Sequence, residues 1–332
     1  MSWLVTGGAG YIGAHVVRAM RAAGIGVAVL DDLSTGRADR LPPDVALVRA
    51  SVLDQGAVRA ALAAHRVSGV VHTAGRKSVP ESVADPLGYY RDNVGGVVAL
   101  LEAMCATGVP RLVFSSSAAV YGTPGDGAVT EQSPTRPENP YGRTKLVGEW
   151  IVEDAARAGR ISYVNLRYFN VAGAADPALA DGGATNLVPR ALGAVLAGAR
   201  PEVFGTDHAT RDGSGERDYV DVRDLAEAHV AAARLVAGHE CAHTLNVGTG
   251  RGVTVFEVLA AVERVTGADA TPIVLPRRAG DPPAVVARAE LARSVLGWAA
   301  RRDVEDMVRS AWQATAGLAS PGPARQPVAV RR

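Results

Sequence analysis

The chain lacks what would tie it to a metal, an oxidising compartment, a nucleic acid or a membrane. Cys105 and Cys241 are its only cysteines in 332 residues, too few for a disulfide framework and without metal-ligand spacing. They read as free thiols in a reducing cytoplasm, and no metal site is expected. Net charge is +1 with acidic and basic side chains interspersed, so no surface is marked for nucleic acid or anionic lipid. No apolar run reaches membrane-spanning length. Met1 leads at once into a strand-like segment, leaving no room for a signal peptide. Hydrophobic residues make up 48% of the chain, enough for a full core in one large α/β unit or two joined domains.

What is present begins at position 7. Gly7, Gly10 and Gly13 follow the G-x-x-G-x-x-G spacing directly behind the apolar run Trp3-Leu4-Val5, and a helical pattern continues from His15. A strand ending in such a loop and feeding a helix offers backbone N–H groups to a pyrophosphate. Strand-like runs at Trp3–Thr6, Val27–Leu30, Ala46–Arg49, Gly69–His72, Arg111–Phe114 and Ser162–Leu166 alternate with amphipathic stretches. Short, uniformly apolar strands separated by helices predict a doubly wound parallel sheet over residues 1–170. From 171 to 318 the rhythm breaks into Gly-, Asp- and Pro-rich connections, which predict a smaller α+β cap over the sheet's carboxyl edge. Residues 222–247 are expected to return to the first domain, and 319–332 to form a disordered tail.

Asp31 closes the second strand, where a carboxylate can accept hydrogen bonds from an adenosine ribose and repel a 2′-phosphate. That favours NAD over NADP, although Arg37 and Arg40 stand close enough to hold a phosphate. A turn or helix cap is the other use for Asp31. Ser115-Ser116-Ser117 ends the strand that begins at Arg111, at the edge where such sheets bind ligands. Tyr141 and Lys145, four apart, share one face of a helix. A phenol of pKa about 10 is a poor base at neutral pH, and a nearby ammonium and pyridinium would lower it. A tyrosine so tuned can take a proton from a sugar hydroxyl as hydride leaves the same carbon. Each pattern alone has a packing explanation; the joint order of glycine loop, acidic strand end, serine strand end and Tyr–Lys helix does not.

These segments, with Leu166-Arg167-Tyr168-Phe169-Asn170, Gly215–Val220 and Arg277–Asp281, make the chain resemble the extended short-chain dehydrogenase/reductase family and, within it, the UDP-glucose 4-epimerases. The resemblance implies bound NAD, a UDP-sugar substrate and a 4-keto intermediate, with Ser117, Tyr141 and Lys145 catalytic. It implies a cofactor site of Gly7, Gly10, Tyr11, Ile12, Gly13, Asp31, Ser51, Val52, Lys77, Asn93 and Phe169 beside the catalytic three. It assigns the UDP-sugar to Asn170, Asn186, Leu187, Phe204, Arg217, Arg278 and Asp281, with Ser117, Tyr141 and Val285 at the sugar. A homodimer through the helices at Asn93–Cys105 and Tyr141–Ala156 follows from the same resemblance.

Arg217 and Arg278 suit a diphosphate clamp, unless each pairs with a neighbouring carboxylate, Asp218 or Asp281. The chain departs from the family at Ala50-Ser51-Val52, where an acidic residue is usual, and at Thr73 and Ala119. Val285, small where some relatives carry tyrosine, predicts room for a 2-acetamido group. Ala118-Ala119 argues against a dehydratase. A uronate epimerase or decarboxylase stays open through Arg76 or Arg190, and a non-catalytic NAD-binding protein is the remaining alternative. His72 is expected to be packed or capped, without a functional role.

Overall fold

The computed structural model describes residues 2–319 other than 126–127, 184–185 and 279. The tail from residue 320 lies outside the described residues. In chain order the elements are β1 (Ser2–Thr6), α1 (Tyr11–Ala22), β2 (Gly26–Asp31), β3 (Ala46–Arg49), α2 (Gln55–Ala64), β4 (Val67–His72), α3 (Val79–Ala84), α4 (Pro86–Tyr89), α5 (Gly95–Thr107), β5 (Arg111–Ser117), β6 (Ala128–Val129), α6 (Pro140–Arg157), β7 (Ser162–Tyr168) and β8 (Asn170–Ala172). They continue with α7 (Leu187–Leu196), β9 (Glu202–Phe204), β10 (Glu216–Asp221), α8 (Val222–Gly238), β11 (Ala242–Val247), β12 (Gly252–Thr254), α9 (Val255–Thr266), β13 (Ile273–Leu275), β14 (Ala284–Ala287), α10 (Glu290–Leu296) and α11 (Val304–Ala319).

A seven-stranded sheet runs β11-β7-β5-β4-β1-β2-β3, and every pairing in it is parallel. Its inner strands are apolar on both faces because helices cover both. On one face Val5, Val29, Val113 and Leu166 pack with Val16 and Met20 of α1 and Leu225 and Ala232 of α8. On the other, Leu4, Leu30, Leu112 and Phe114 pack with Leu62 of α2 and Leu100 and Met104 of α5. The order reverses between β1 and β4, which opens the crevice where this fold class takes its ligand.

The remaining strands form a small sheet, β12-β10-β14-β6 with β8 on β10, and a β9–β13 ribbon. A separate core of Val188 and Leu192 from α7, Leu259 and Val262 from α9, and Met307 and Val308 from α11 supports them. Asn170 follows β7 by two residues and is already in β8, so the chain passes directly from the large sheet into the small one.

Candidate active site

The glycine loop sits in the crevice. Gly7 has φ +70°, and a Cβ there would lie 2.6 Å from the backbone nitrogen of Ala74, just beyond β4. A Cβ on Gly13 would lie 2.1 Å from the Gly7 carbonyl oxygen. The turn therefore closes only with glycine at both positions. Gly10 caps α1 without a side-chain hydrogen bond, so the first N–H groups of that helix keep their capacity for an anion.

Asp31 is buried at the end of β2. Its two carboxylate oxygens each accept one backbone N–H, from Ala9 and from Leu33, both at 2.9 Å. Each oxygen retains capacity for a second donor, so the turn-stabilising and ribose-binding uses of Asp31 are compatible. The two arginines that could have argued for a 2′-phosphate are otherwise engaged. Arg37 is paired with Asp39, and Arg40 is buried, donating to the Ala180 carbonyl at 3.0 Å.

Several other residues expected at the cofactor have structural partners of their own. The Tyr11 hydroxyl donates to the Gly173 carbonyl at 2.6 Å, and Lys77 Nζ lies 5.8 Å from the Tyr11 ring centroid. Ser51 accepts a hydrogen bond from Leu53 N at 3.2 Å. Val52 lies where a Cβ on Gly96 would meet it. The Asn93 amide accepts from Arg76 N and donates to Arg76 O and Thr144 Oγ1. It clamps the segment after β4 onto α6. Gly75 in that segment has φ +151° and lies near both Asn93 and the Lys145 ammonium. His72 is buried, hydrogen-bonded to Thr6 Oγ1 at 2.7 Å and stacked on Phe114.

Ser117, at the end of β5, pairs in register with Tyr168 of β7. Asn139 caps α6 through Gly142 N, with Pro140 in the first turn, and this start delivers Tyr141 to Ser117. Burial is the larger effect on the Tyr141 phenol and raises its pKa, while the nearby Ser117 hydroxyl lowers it. The expected depression by Lys145 is not found in the protein alone. Lys145 instead donates to the Ser115 carbonyl at 2.9 Å. Burial holds its ammonium down at about 8, opposed by the negative charge of Glu149.

A cavity of about 450 Å³ opens beside this strand edge. It gathers Asn170, Asn186, Leu187, Phe204, Arg217, Arg278 and Asp281 from five separate stretches of the chain. Arg217 is paired with Asp281, not with Asp218. Asp218 is fully buried and accepts from Thr249, Gly250 and Ala287. The Arg278 guanidinium lies on the Phe204 ring, 3.6 Å from its centroid. Val285 is not in the cavity wall. It packs with Val120, Leu146 and Phe169, so the cluster that receives Phe169 receives Val285 as well.

Of the two arginines considered for a uronate, Arg76 is occupied by Glu81 and Asp85 and lies over the Tyr89 ring. Arg190 does line the cavity, paired with Glu202. Sequence reading missed the buried polar layer behind the site: Glu149 and His229 are hydrogen-bonded to Ser116 and Ser115, and Arg167 bridges Glu149 and Tyr121. The spacing of Glu149, four residues after Lys145, was the available signal.

The NAD dependent epimerase/dehydratase family model matches residues 3–248. The chain belongs to that family. It is 45% identical over 315 residues to a UDP-glucose 4-epimerase of Azospirillum brasilense, covering 93% of this chain and 90% of that one. Among solved structures, a UDP-glucose-4-epimerase from Stenotrophomonas maltophila with bound NAD and formylated UDP-arabinopyranose superimposes with a TM-score of 0.93. It is 39% identical and spans 96% of this chain and 99% of its own. The UDP-Glc/GlcNAc 4-epimerase of Campylobacter jejuni gives 0.84 at 35% identity, over 95% of this chain and 99% of that one. The glycine cradle, the uncapped start of α1 and Asp31 are the parts of this epimerase-family fold that fit a dinucleotide.

Proposed function

We propose that this protein is an NAD-dependent 4-epimerase of UDP-hexoses, interconverting UDP-glucose and UDP-galactose through a 4-keto sugar. The observation that carries this reading is the place of the Ser117–Tyr141 pair. The segment holding Ala74 and Gly75 links it to the glycine loop, and Tyr168–Asn170 links it to the arginine-lined cavity.

Bound NAD supplies the hydride acceptor, and later the donor, at C4 of the sugar. Tyr141 Oη takes the 4-hydroxyl proton and returns it after the sugar has turned. Ser117 holds the phenol and the substrate hydroxyl in one line. Lys145, with its pKa near 8, is mainly protonated at neutral pH and favours phenolate once substrate and cofactor exclude water. Four arginines and two carboxylates line the cavity, Arg190, Arg200, Arg217 and Arg278 against Glu202 and Asp281. The excess of two positive charges suits a diphosphate. Exchange of Asp281 for phosphate oxygens on Arg217 accompanies binding.

The decisive experiment is product analysis from UDP-galactose, UDP-glucose and their N-acetyl forms without added nicotinamide, on enzyme preloaded with NAD. Interconversion at C4 without net NADH supports the reading; net oxidation or no turnover refutes it. The N-acetyl pair tests whether Val285, packed as it is, leaves room for an acetamido group. Arg190 favours one second reading, a UDP-uronate substrate, and UDP-glucuronate in parallel separates the two.

The same reading makes the protein a cytoplasmic homodimer. Among the described residues no helix is long and apolar enough to cross a membrane. Leu87, Val98 and Trp150 are exposed on α4, α5 and α6, with Trp150 at 53% exposure. Helix faces this apolar suit a second copy. Sedimentation should give twice the chain mass, and Trp150→Glu should halve it.

A further inference from the structure

The three serines at the end of β5 and three side chains on α6 meet as a set. Tyr141, Lys145 and Glu149 recur every four residues, so all three lie on the buried face of α6. The Ser117 hydroxyl lies near enough to the Tyr141 phenol to lower its pKa, the Ser115 carbonyl accepts from Lys145, and the Ser116 hydroxyl donates to Glu149 Oε1. The last contact lies one residue from each of the other two on the strand and one turn beyond Lys145 on the helix. Glu149 is 1% exposed and is held from the next strand. Arg167 donates through Nε to Oε1 at 2.9 Å and through Nη2 to Oε2 at 2.6 Å. Arg167 is itself fixed by the Tyr121 hydroxyl at 3.0 Å, and Tyr121 by Asn246 at 2.7 Å.

A buried carboxylate in a neutral hydrophobic shell would cost stability, and an apolar side chain could have fixed the helix as well. Its position is informative because of what it borders: one oxygen reaches the strand between the Ser115 and Ser117 contacts, and the carboxylate lies one helical turn from Lys145 on the same buried face. We propose that Glu149 is a positioning residue for the reaction inferred above, setting the register of α6 on β5 through Ser116 and keeping Lys145 protonated. It does so without touching substrate or cofactor. The proposal rests on the epimerase reading only for its kinetic consequence; the strand–helix contact stands on its own.

The charged and titratable groups facing Glu149 come from each packed element: Lys145 and Glu153 from α6, Arg167 and Tyr163 from β7, and Tyr121 from the turn after β5. Of these, Lys145 is the cation that the proposed reaction uses. Glu149→Gln keeps the shape and removes the charge. Ser116→Ala keeps the Glu149–Arg167 pair intact and removes only the strand contact, so it serves where the first variant folds poorly.

The experiment is kinetics with UDP-galactose on the NAD-loaded enzyme, together with an NMR titration of the Lys145 side chain in full-length protein. Glu149→Gln should lower kcat about tenfold to a hundredfold with KM within threefold, the scale expected when a catalytic group is displaced by a fraction of an ångström. Its Lys145 titration should move to lower pH, and Glu149→Asp should recover part of both. Ser116→Ala should lower kcat without moving the titration. An unmoved Lys145 titration in Glu149→Gln, or kcat within twofold of wild type in both variants, overturns the proposal. A wild-type protein that does not turn over UDP-galactose defeats the epimerase reading instead, and the titration still decides the Glu149 contact.

Discussion

Gly13→Ala sets two opposite effects against each other, and the structure decides the sign. In an open helical position the change would stabilise by about 0.5–1 kcal/mol, because alanine loses less backbone entropy than glycine on folding. At Gly13 the new Cβ would stand 2.1 Å from the Gly7 carbonyl oxygen and 2.8 Å from the Gly8 Cα. Both neighbours are backbone, so no rotamer relieves the overlap. The loop has to move by roughly an ångström, and overpacking of this kind costs about 1–3 kcal/mol. The movement falls on the N–H groups that would face a pyrophosphate, so NAD affinity should drop at least tenfold, about 1.4 kcal/mol. Gly193→Ala is the control: it lies inside α7 with nothing within 4 Å of its Cβ, and should raise stability. Calorimetric titration with NAD and thermal unfolding of the two variants give both quantities. A Gly13→Ala protein that binds NAD within twofold of wild type and melts higher would refute the reasoning.

Tyr141→Phe should lose about 10²–10⁴ in kcat while retaining NAD and UDP binding, as read by rapid quench and by calorimetry. Arg167→Met leaves Glu149 buried and unpaired, and chemical denaturation should show a loss of about 3–5 kcal/mol. Arg278→Ala, which removes the guanidinium on Phe204, should raise KM for the UDP-sugar tenfold or more, with kcat changed less. Acid stability follows from three buried histidines. Burial holds His72 down at about 3 and His15 and His229 at about 4, whereas the unfolded chain protonates near 6.5. Between about pH 4 and 6.5 the unfolded state therefore binds more protons, so stability falls as pH drops through that window. Each group contributes about 1.4 kcal/mol per pH unit there, and urea midpoints at pH 7 and 5 measure it.

The family, the doubly wound sheet and the dinucleotide loop were legible from residues alone, because local sequence carries them. Uniformly apolar strands can be satisfied only in a covered parallel sheet, and the clash that requires Gly13 arises within one short turn, against the Gly7 carbonyl, whereas Gly7 also answers to Ala74 beyond β4. The Tyr141–Lys145 spacing could likewise be read along one helix. Charge neutralisation could not be read in this way. Whether Arg217 meets Asp218 or Asp281 depends on which way a strand of the small sheet faces, and folding gave Asp218 to the 249–250 turn and Asp281 to Arg217. The same holds for the Tyr141 phenol. Its neighbour Lys145 is fixed by sequence, but its desolvation is a property of everything packed around it, and burial reversed the expected shift. Periodicity and spacing are local and survive in the unfolded chain; dielectric surroundings and long-range ion pairs exist only after the layers have closed.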